Sequence, residues 1–352
     1  GLRGGGMTPI RQYADDVRTV PTDLRPPVGS VDVAVLATGK LHSQILRQIC
    51  TALQVPGLGT GSGEPTVDQR LGLLHSWLAA RTTPVTIIID ALDEAADPEV
   101  FVREVLAFLE PDPAAPKVRL LIGVRSVGAP EYGGAAKTQL APDELPLADL
   151  TEALLSADRI AVDDAPWWEP DDVVAYVASI LERTPGSPYQ QADDDTRMAV
   201  ARAVGGRAGK SFLVARIAAS SLASRKTIIS PSDPSWLHTL DEGLLGVFRD
   251  DLHYTITSPS ARRRAVVLLR AVAFAYGSGL PWRGLWPLMA NAVDENGATY
   301  GDTDILSLLN SRLGAYLVTD RDDGTTVYRL FHDSLRSTLR DRWQELLVSP
   351  SQ

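Results

Sequence analysis

A single cysteine, Cys50, stands among 352 residues, so no disulfide can form within the chain and a reducing compartment is the natural setting. Apolar runs approaching the ~18 residues of a membrane-spanning helix are lacking, as is a charged-then-apolar leader. Basic residues are in deficit, 34 Lys and Arg against 44 Asp and Glu, for a formal charge of −10. Broad attraction to nucleic acid or to an anionic membrane surface is therefore disfavoured, although a local basic patch is compatible with that total. The five histidines include no i, i+4 pair and no cysteine at ligand spacing, which removes the usual metal sets. Internal repeats are absent, and low complexity is confined to the opening glycines. These absences lead to the expectation of a soluble cytoplasmic protein with no membrane partner.

What is present is a chain with 44% apolar side chains, enough for two to three domains with real cores. The first 160 residues alternate β-branched runs with helical patterns. Residues 31–37 read as a buried strand. Leu41, Ile45, Leu46, Ile49 and Leu53 then share a helical face, flanked by Cys50 as a small core residue. A second helix is predicted from Leu71 to Leu78, a strand from Val85 to Ile89 ending on Asp90, and a helix from Val100 to Leu109. Asp97-Pro98-Glu99 supplies the cap, the first-turn proline and an early acid for that helix. Further strands are predicted at 118–124 and at Ile160-Ala161-Val162. Continuous apolar strands alternating with helices predict a parallel sheet covered on both faces. From Trp167 the pattern turns helical, opening at Glu169-Pro170-Asp171-Asp172, with a linker at 230–235. Near the C-terminus the order is helix, strand, a turn at Asp323-Gly324, strand, helix, which is a winged-helix pattern. The expected architecture is α/β: a parallel-sheet core over 1–165, a helical domain over 166–233 and a winged-helix domain over 234–352.

The strongest local signal is Thr86-Ile87-Ile88-Ile89-Asp90-Ala91-Leu92-Asp93-Glu94. An apolar strand delivers a carboxylate to the carboxyl edge of a parallel sheet, where ligands bind. Asp90 is placed to hold Mg²⁺ through water, and Asp93 with Glu94 to orient or deprotonate an attacking water. The bland alternative is an acidic turn that caps the next helix. Arg125, just after the third strand, shares that edge, either as a surface arginine or as a sensor of a γ-phosphate.

Gly1-Leu2-Arg3-Gly4-Gly5-Gly6-Met7-Thr8 has the spacing of a phosphate-cradling loop, with Met7 where the lysine belongs. Gly4 and Gly6 would let backbone N–H groups wrap phosphates, and Thr8 would touch the metal ion alongside Asp90. The other reading is an added leader ahead of an initiating methionine. The strand that should precede such a loop is missing either way, so the chain is expected to be a piece of a longer one. The Gly-Lys-Ser at 209–211 is a decoy: Val204 stands where the first glycine should be, and a helical pattern precedes it. His332 opens the last helix, as a cap, a core residue or a functional contact.

In their order these pieces resemble the STAND class of signal-transducing NTPases, close to the NACHT group and similar to its actinobacterial members. The specific stretches are 87–95, 118–125, 211–216, 279–282 and 328–335, with 33–40 matching the family's second strand. The resemblance implies a signalling switch, of the kind used in bacterial defence, that takes ATP or ADP with Mg²⁺. It implies that the core over 1–165 is of P-loop type without its first strand, and that the helical domain over 166–233 is a lid. It also implies that Asp90 is the Walker B acid, Asp93 and Glu94 the catalytic pair, Arg125 the sensor, and His332 a contact to the β-phosphate. An N-terminal effector, C-terminal repeat sensors outside this chain and self-association on activation are the implied partners. Met7 puts hydrolysis in doubt, so a non-binding scaffold stays open. A winged-helix DNA regulator also stays open on Arg336, Arg340 and Arg342, against Asp333, Asp341 and Glu345 in the same segment.

Overall fold

The computed structural model describes residues 22, 25–58, 64–109, 118–125, 146–277, 279–322 and 325–349. They fall into two compact units, one up to Arg159 together with 276–277, the other comprising 160–275 and 279–349. The fold is mixed α/β, with one parallel sheet, many helices and a small antiparallel sheet.

In the first unit, β1 (Val33–Leu36), β2 (Val85–Asp90) and β3 (Val118–Ile122) form a parallel sheet in that order. The register sets Val33 beside Ile87 and Leu36 beside Asp90, then Ile87 beside Leu120 and Ile89 beside Ile122. Side chains alternate across a sheet, so Val33, Val35, Val85, Ile87, Ile89 and Val118 point to one face and are buried. There they join α1 (His42–Ala52), α2 (Val67–Ala79) and the helix α3 over 98–109. Ile45, Leu46, Ile49, Leu74, Phe101 and Leu106 are fully enclosed in this layer. Each such side chain contributes about 1.5–3 kcal/mol by leaving water.

The opposite face departs from expectation. The row Ala34–Ile88–Leu121 crosses it in register, yet Ala34 is exposed and Leu121 is 55% exposed. An unbroken apolar run implies burial on both faces. Here Ile88 is only half-buried, so the sheet has one sealed face and one open at those positions.

Local signals explain the helix ends. α2 starts at Val67, earlier than predicted, because Thr66 and Gln69 form a capping box: Gln69 N donates to Thr66 Oγ1 at 3.3 Å and Thr66 N to Gln69 Oε1 at 3.0 Å. α3 has Pro98 in its first turn as expected, and its centre, Phe101–Leu106, is wound as π-helix. Asp97 sits at its N-cap position without capping it. Its carboxylate accepts from His42 N instead and pairs with His42 Nδ1.

The second unit contains α4 (Pro170–Arg183), α5 (Asp194–Ala208), α6 (Phe212–Ala223), α7 (Pro234–Asp241), α8 (Gly243–Thr255) and α9 (Pro259–Ala273). The predicted strand at Ile160–Val162 is not formed. Three β-branched or small residues are too few to hold a strand against the Asp-Asp-Ala-Pro turn that follows, in which Asp164 N donates to Ala161 O. Ile160 and Val162 are 54% and 65% exposed.

Helix α10 (Asp302–Asn310), a 3₁₀ turn (Arg312–Tyr316), β4 (Leu317–Asp322), β5 (Thr325–Leu330) and α11 (Asp333–Asp341) follow one another in the expected helix, hairpin, helix order. The 3₁₀ turn takes in Ala315 and Tyr316, so the first strand begins at Leu317, and the last helix gives way at Arg342 to a 3₁₀ turn (Trp343–Leu347). A short strand, Leu280–Pro281, pairs with the other edge of β5 to complete an antiparallel sheet. One apolar core runs through this unit from Val173 to Leu346. Trp286, fully enclosed, donates its indole N–H to Leu268 O at 3.0 Å.

Candidate functional site

At the carboxyl end of the parallel sheet β2 delivers Asp90, and the chain turns sharply. Ala91 adopts φ 55°, ψ 46°, the left-handed region, before the 3₁₀ turn Leu92–Glu94. A side-chain-bearing residue is held in that region only where its surroundings over-determine it, and such residues concentrate at functional sites. Here Ala91 N donates to Asp90 Oδ1 at 2.9 Å and Leu92 N to Gly123 O at 2.9 Å. Gly123 follows β3 and has no side chain for a reason: a Cβ there would lie 2.5 Å from Asp90 Oδ1. The Asp90 carboxylate itself is exposed.

Asp93, Glu94 and Arg125 converge beside it. Arg125 donates its backbone N–H to Asp93 Oδ1 at 3.0 Å, Nε to Asp93 Oδ2 at 2.6 Å and Nη2 to Glu94 Oε1 at 2.9 Å. The second Glu94 oxygen accepts from Thr38 Oγ1 at 2.8 Å. Both carboxylates are thus engaged by donors.

The loop after β1 was predicted only as strand. Thr38 and Lys40 in fact cross the same edge: Gly39 N donates to Glu94 O at 2.7 Å and Ala96 N to Lys40 O at 2.9 Å. Lys40 is 5% exposed and curls back to donate Nζ to Leu36 O at 2.8 Å. Together with the His42–Asp97 pair, these bonds tie the loop after β1 to the loop after β2. The only sequence signal for them was a Gly-Lys pair following an apolar strand.

The remaining predicted residues divide cleanly. Gly4, Gly6, Met7 and Thr8, like the Asp323-Gly324 turn, lie outside the described residues. His332 belongs to the second unit, where it caps α11, its Nδ1 accepting from Ser334 N at 3.0 Å. Lys210 stands in the short connection between α5 and α6. It donates to Asp163 O at 2.6 Å and to Asp164 Oδ1 at 3.2 Å, and lies 5.1 Å from the Trp168 ring. Cys50 is fully buried, and burial pushes its thiol up to about 11. Among the described residues no three His, Cys, Asp or Glu side chains gather to hold a metal ion, and no helix is long and apolar enough to cross a membrane.

No family model matches this chain, and no curated protein does. Among solved structures it is similar to Cdc6p from Pyrobaculum aerophilum, at 13% identity and a TM-score of 0.33, over 90% of this chain and 80% of that one. Nothing about the chemistry of this chain follows from a likeness of that size; its own residues carry it.

Proposed function

We propose that this chain is a nucleotide-dependent switch module of the STAND class, NACHT-like, that binds ADP or ATP with Mg²⁺ and hydrolyses it slowly or not at all. The observation that supports it best is the carboxyl edge of the parallel sheet, where Asp90, Asp93, Glu94 and Arg125 converge from the ends of two adjacent strands. Asp90 suits a divalent cation. Its carboxylate is exposed and, among the described residues, takes one internal donor, Ala91 N, and Mg²⁺ commonly needs only one or two carboxylates beside phosphate and water. When bound, the cation would neutralise phosphate charge. On this reading Gly4, Gly6 and Thr8 supply the phosphate loop, Thr8 sharing the cation with Asp90.

Two features favour binding over turnover. Met7 carries no charge to offset the γ-phosphate, and a charge-assisted hydrogen bond is worth about 1.5–3 kcal/mol. Asp93 and Glu94 are held by Arg125 and Thr38, so a hydrolytic water finds no ready base until that grip opens. Arg125 would act as the sensor that links this grip to bound phosphate. The proposed division is a nucleotide core over 1–165, a helical lid over 166–233 and a winged helix over 234–352, with His332 the winged-helix contact to the β-phosphate. An effector, repeat sensors and further copies of the chain are the partners this role calls for.

The DNA-regulator reading has less support. Arg336 donates Nε to Ala273 O at 2.9 Å and Nη2 to Ala275 O, Arg340 lies over Phe274, and Arg342 forks onto Glu345. All three arginines are engaged within the unit, whereas phosphate contacts need them turned outward.

Isothermal titration of the full chain with ADP and ATP in the presence of Mg²⁺ tests the proposal. Weak binding is expected, falling at least tenfold in Asp90→Ala, with hydrolysis near background. No nucleotide heat would leave the fold as a scaffold without a nucleotide, and equal binding by both proteins would place the nucleotide away from Asp90.

A further inference from the structure

The second unit has a pocket of about 60 Å³, open to solvent, that is lined by none of the residues assigned to the proposed nucleotide site. Helix α6 contributes Arg216 and, one turn on, Ser220. Helix α8 supplies Asp251 at its floor, the 3₁₀ turn supplies Arg312 and Tyr316, and Phe331 follows β5. These residues come from four separate stretches of the chain, so only the tertiary fold assembles them.

Their polar groups are unevenly satisfied. Asp251 is 1% exposed. Its Oδ2 accepts the Tyr316 hydroxyl at 2.7 Å, and its Oδ1 lies 2.5 Å from Arg312 Nη2. Burial raises the Asp251 carboxyl above its usual value, with Arg312 opposing the shift. Arg312 thus has its charge answered on one nitrogen, while its Nη1 and the Asp251 Oδ1 are both buried with no hydrogen-bond partner among the described residues. A buried donor without an acceptor is costly, and each such group calls for an explanation such as an ion or a ligand. The Arg216 guanidinium carbon lies 4.4 Å from the centre of the Phe331 ring. An aromatic face attracts a guanidinium without using its N–H groups as hydrogen-bond donors to oxygen. Two guanidiniums face one carboxylate, so the pocket retains positive charge.

We propose that this pocket binds a single phosphate group, gripped between Arg216 and Arg312 with the Ser220 hydroxyl as a further donor. The charge excess and the arginine forks select an oxyanion, because guanidinium N–H pairs match adjacent oxygens of phosphate or carboxylate. The greater charge of phosphate selects it over a carboxylate. The volume is about that of two water molecules in the liquid, room for one such group, and the opening to solvent leaves space for whatever the group is attached to. Free phosphate and the phosphate end of a small monoester share this chemistry.

The test is thermal unfolding and titration of the full chain with inorganic phosphate at constant ionic strength, alongside acetate and glycerol phosphate. Millimolar phosphate is expected to raise the melting temperature and acetate to do so less. A glycerol phosphate response at least equal to that of phosphate would assign the site to a monoester, and a smaller one to the free ion. Arg216→Gln, at an exposed position, should keep the fold and weaken phosphate binding at least tenfold. Arg312→Lys should weaken it while keeping a charge opposite Asp251. Asp90→Ala should leave the phosphate response intact, which separates this site from the nucleotide site. No phosphate response in the parent protein, an equal response in Arg216→Gln, or tighter binding of acetate overturns the proposal.

Discussion

Arg125 is clamped to Asp93 at two points, its backbone N–H on one carboxylate oxygen at 3.0 Å and its Nε on the other at 2.6 Å. The side chain of Arg125 is 47% exposed and that of Asp93 16%. A half-exposed pair is screened by water, so its coupling should be modest, about 1 kcal/mol or less. A double-mutant cycle with Arg125→Gln and Asp93→Asn, read by urea unfolding, is expected to give that value and to shrink in 0.5 M NaCl. A coupling of several kcal/mol would show that the clamp, and not the sheet, holds the turn after β2.

Gly123→Ala places a methyl group 2.5 Å from Asp90 Oδ1, while its next neighbours, Asp90 Cα and Ala91 N, stay at ordinary contact distance. The carboxylate is the movable party. The substitution should therefore leave the melting temperature nearly unchanged and turn Asp90 away from its present position. On the proposed function, Mg²⁺-dependent nucleotide binding should fall about tenfold. Titration with and without Mg²⁺ checks this, and unchanged affinity would place the cation elsewhere.

His253 gives the second unit a sensitivity to acid. Burial and the neighbouring Arg262 hold its imidazole below its ordinary value; Arg249 adds to the effect, while Asp250 and the bond to Leu346 O oppose it. The unfolded chain takes up a proton near pH 6.5, and the folded chain does so only at lower pH. Below about 6.5 the unfolded state binds more protons, so stability contributed by this group is complete above that pH and lost as pH falls toward the folded value. Urea unfolding between pH 8 and pH 5 should show this loss, and His253→Gln should flatten it. A profile of the same slope in both proteins would assign the acid sensitivity to other groups.

Cys50 should resist modification in the native state. Its thiol is fully buried and its pKa stands near 11, so almost no thiolate exists at pH 8. Iodoacetamide is expected to label the chain only in denaturant. Rapid native labelling would mean that α1 opens readily.

Lys210→Ala tests the decoy. The side chain is half exposed, and its partners are Asp163, Asp164 and the Trp168 ring. Stability should drop by about 1 kcal/mol or less and nucleotide affinity should not change. A tenfold loss of ADP or ATP binding would move the phosphate site to the loop at 209–211.

The order of strands and helices in the first unit was legible because apolar periodicity is a local property. Ile87-Ile88-Ile89 followed by Asp90 marks a strand and its end whatever surrounds it. The burial of Cys50 was legible for the same reason. The grouping of Asp90, Asp93, Glu94 and Arg125 needed one further inference, that neighbouring parallel strands end at a common edge. Where a side chain would spend its hydrogen bonds was not legible. Asp97 has the sequence of a helix cap and bonds to His42 instead, 55 residues away.

By itself, then, the sequence determined the parallel strands, the acid at their carboxyl edge, and the helix, hairpin, helix order near the C-terminus. Each follows from residues that are neighbours along the chain. Tertiary structure alone decided that one sheet face is open at Ala34 and Leu121, that Ile160 and Val162 stay outside the sheet, and that Thr38 and Arg125 occupy Glu94. It also decided that Arg216, Asp251 and Arg312 line one pocket. The physical reason is competition. A carboxylate or guanidinium bonds to whichever partner the packed core brings within about 3 Å, and periodicity along the chain carries no record of which partner that is.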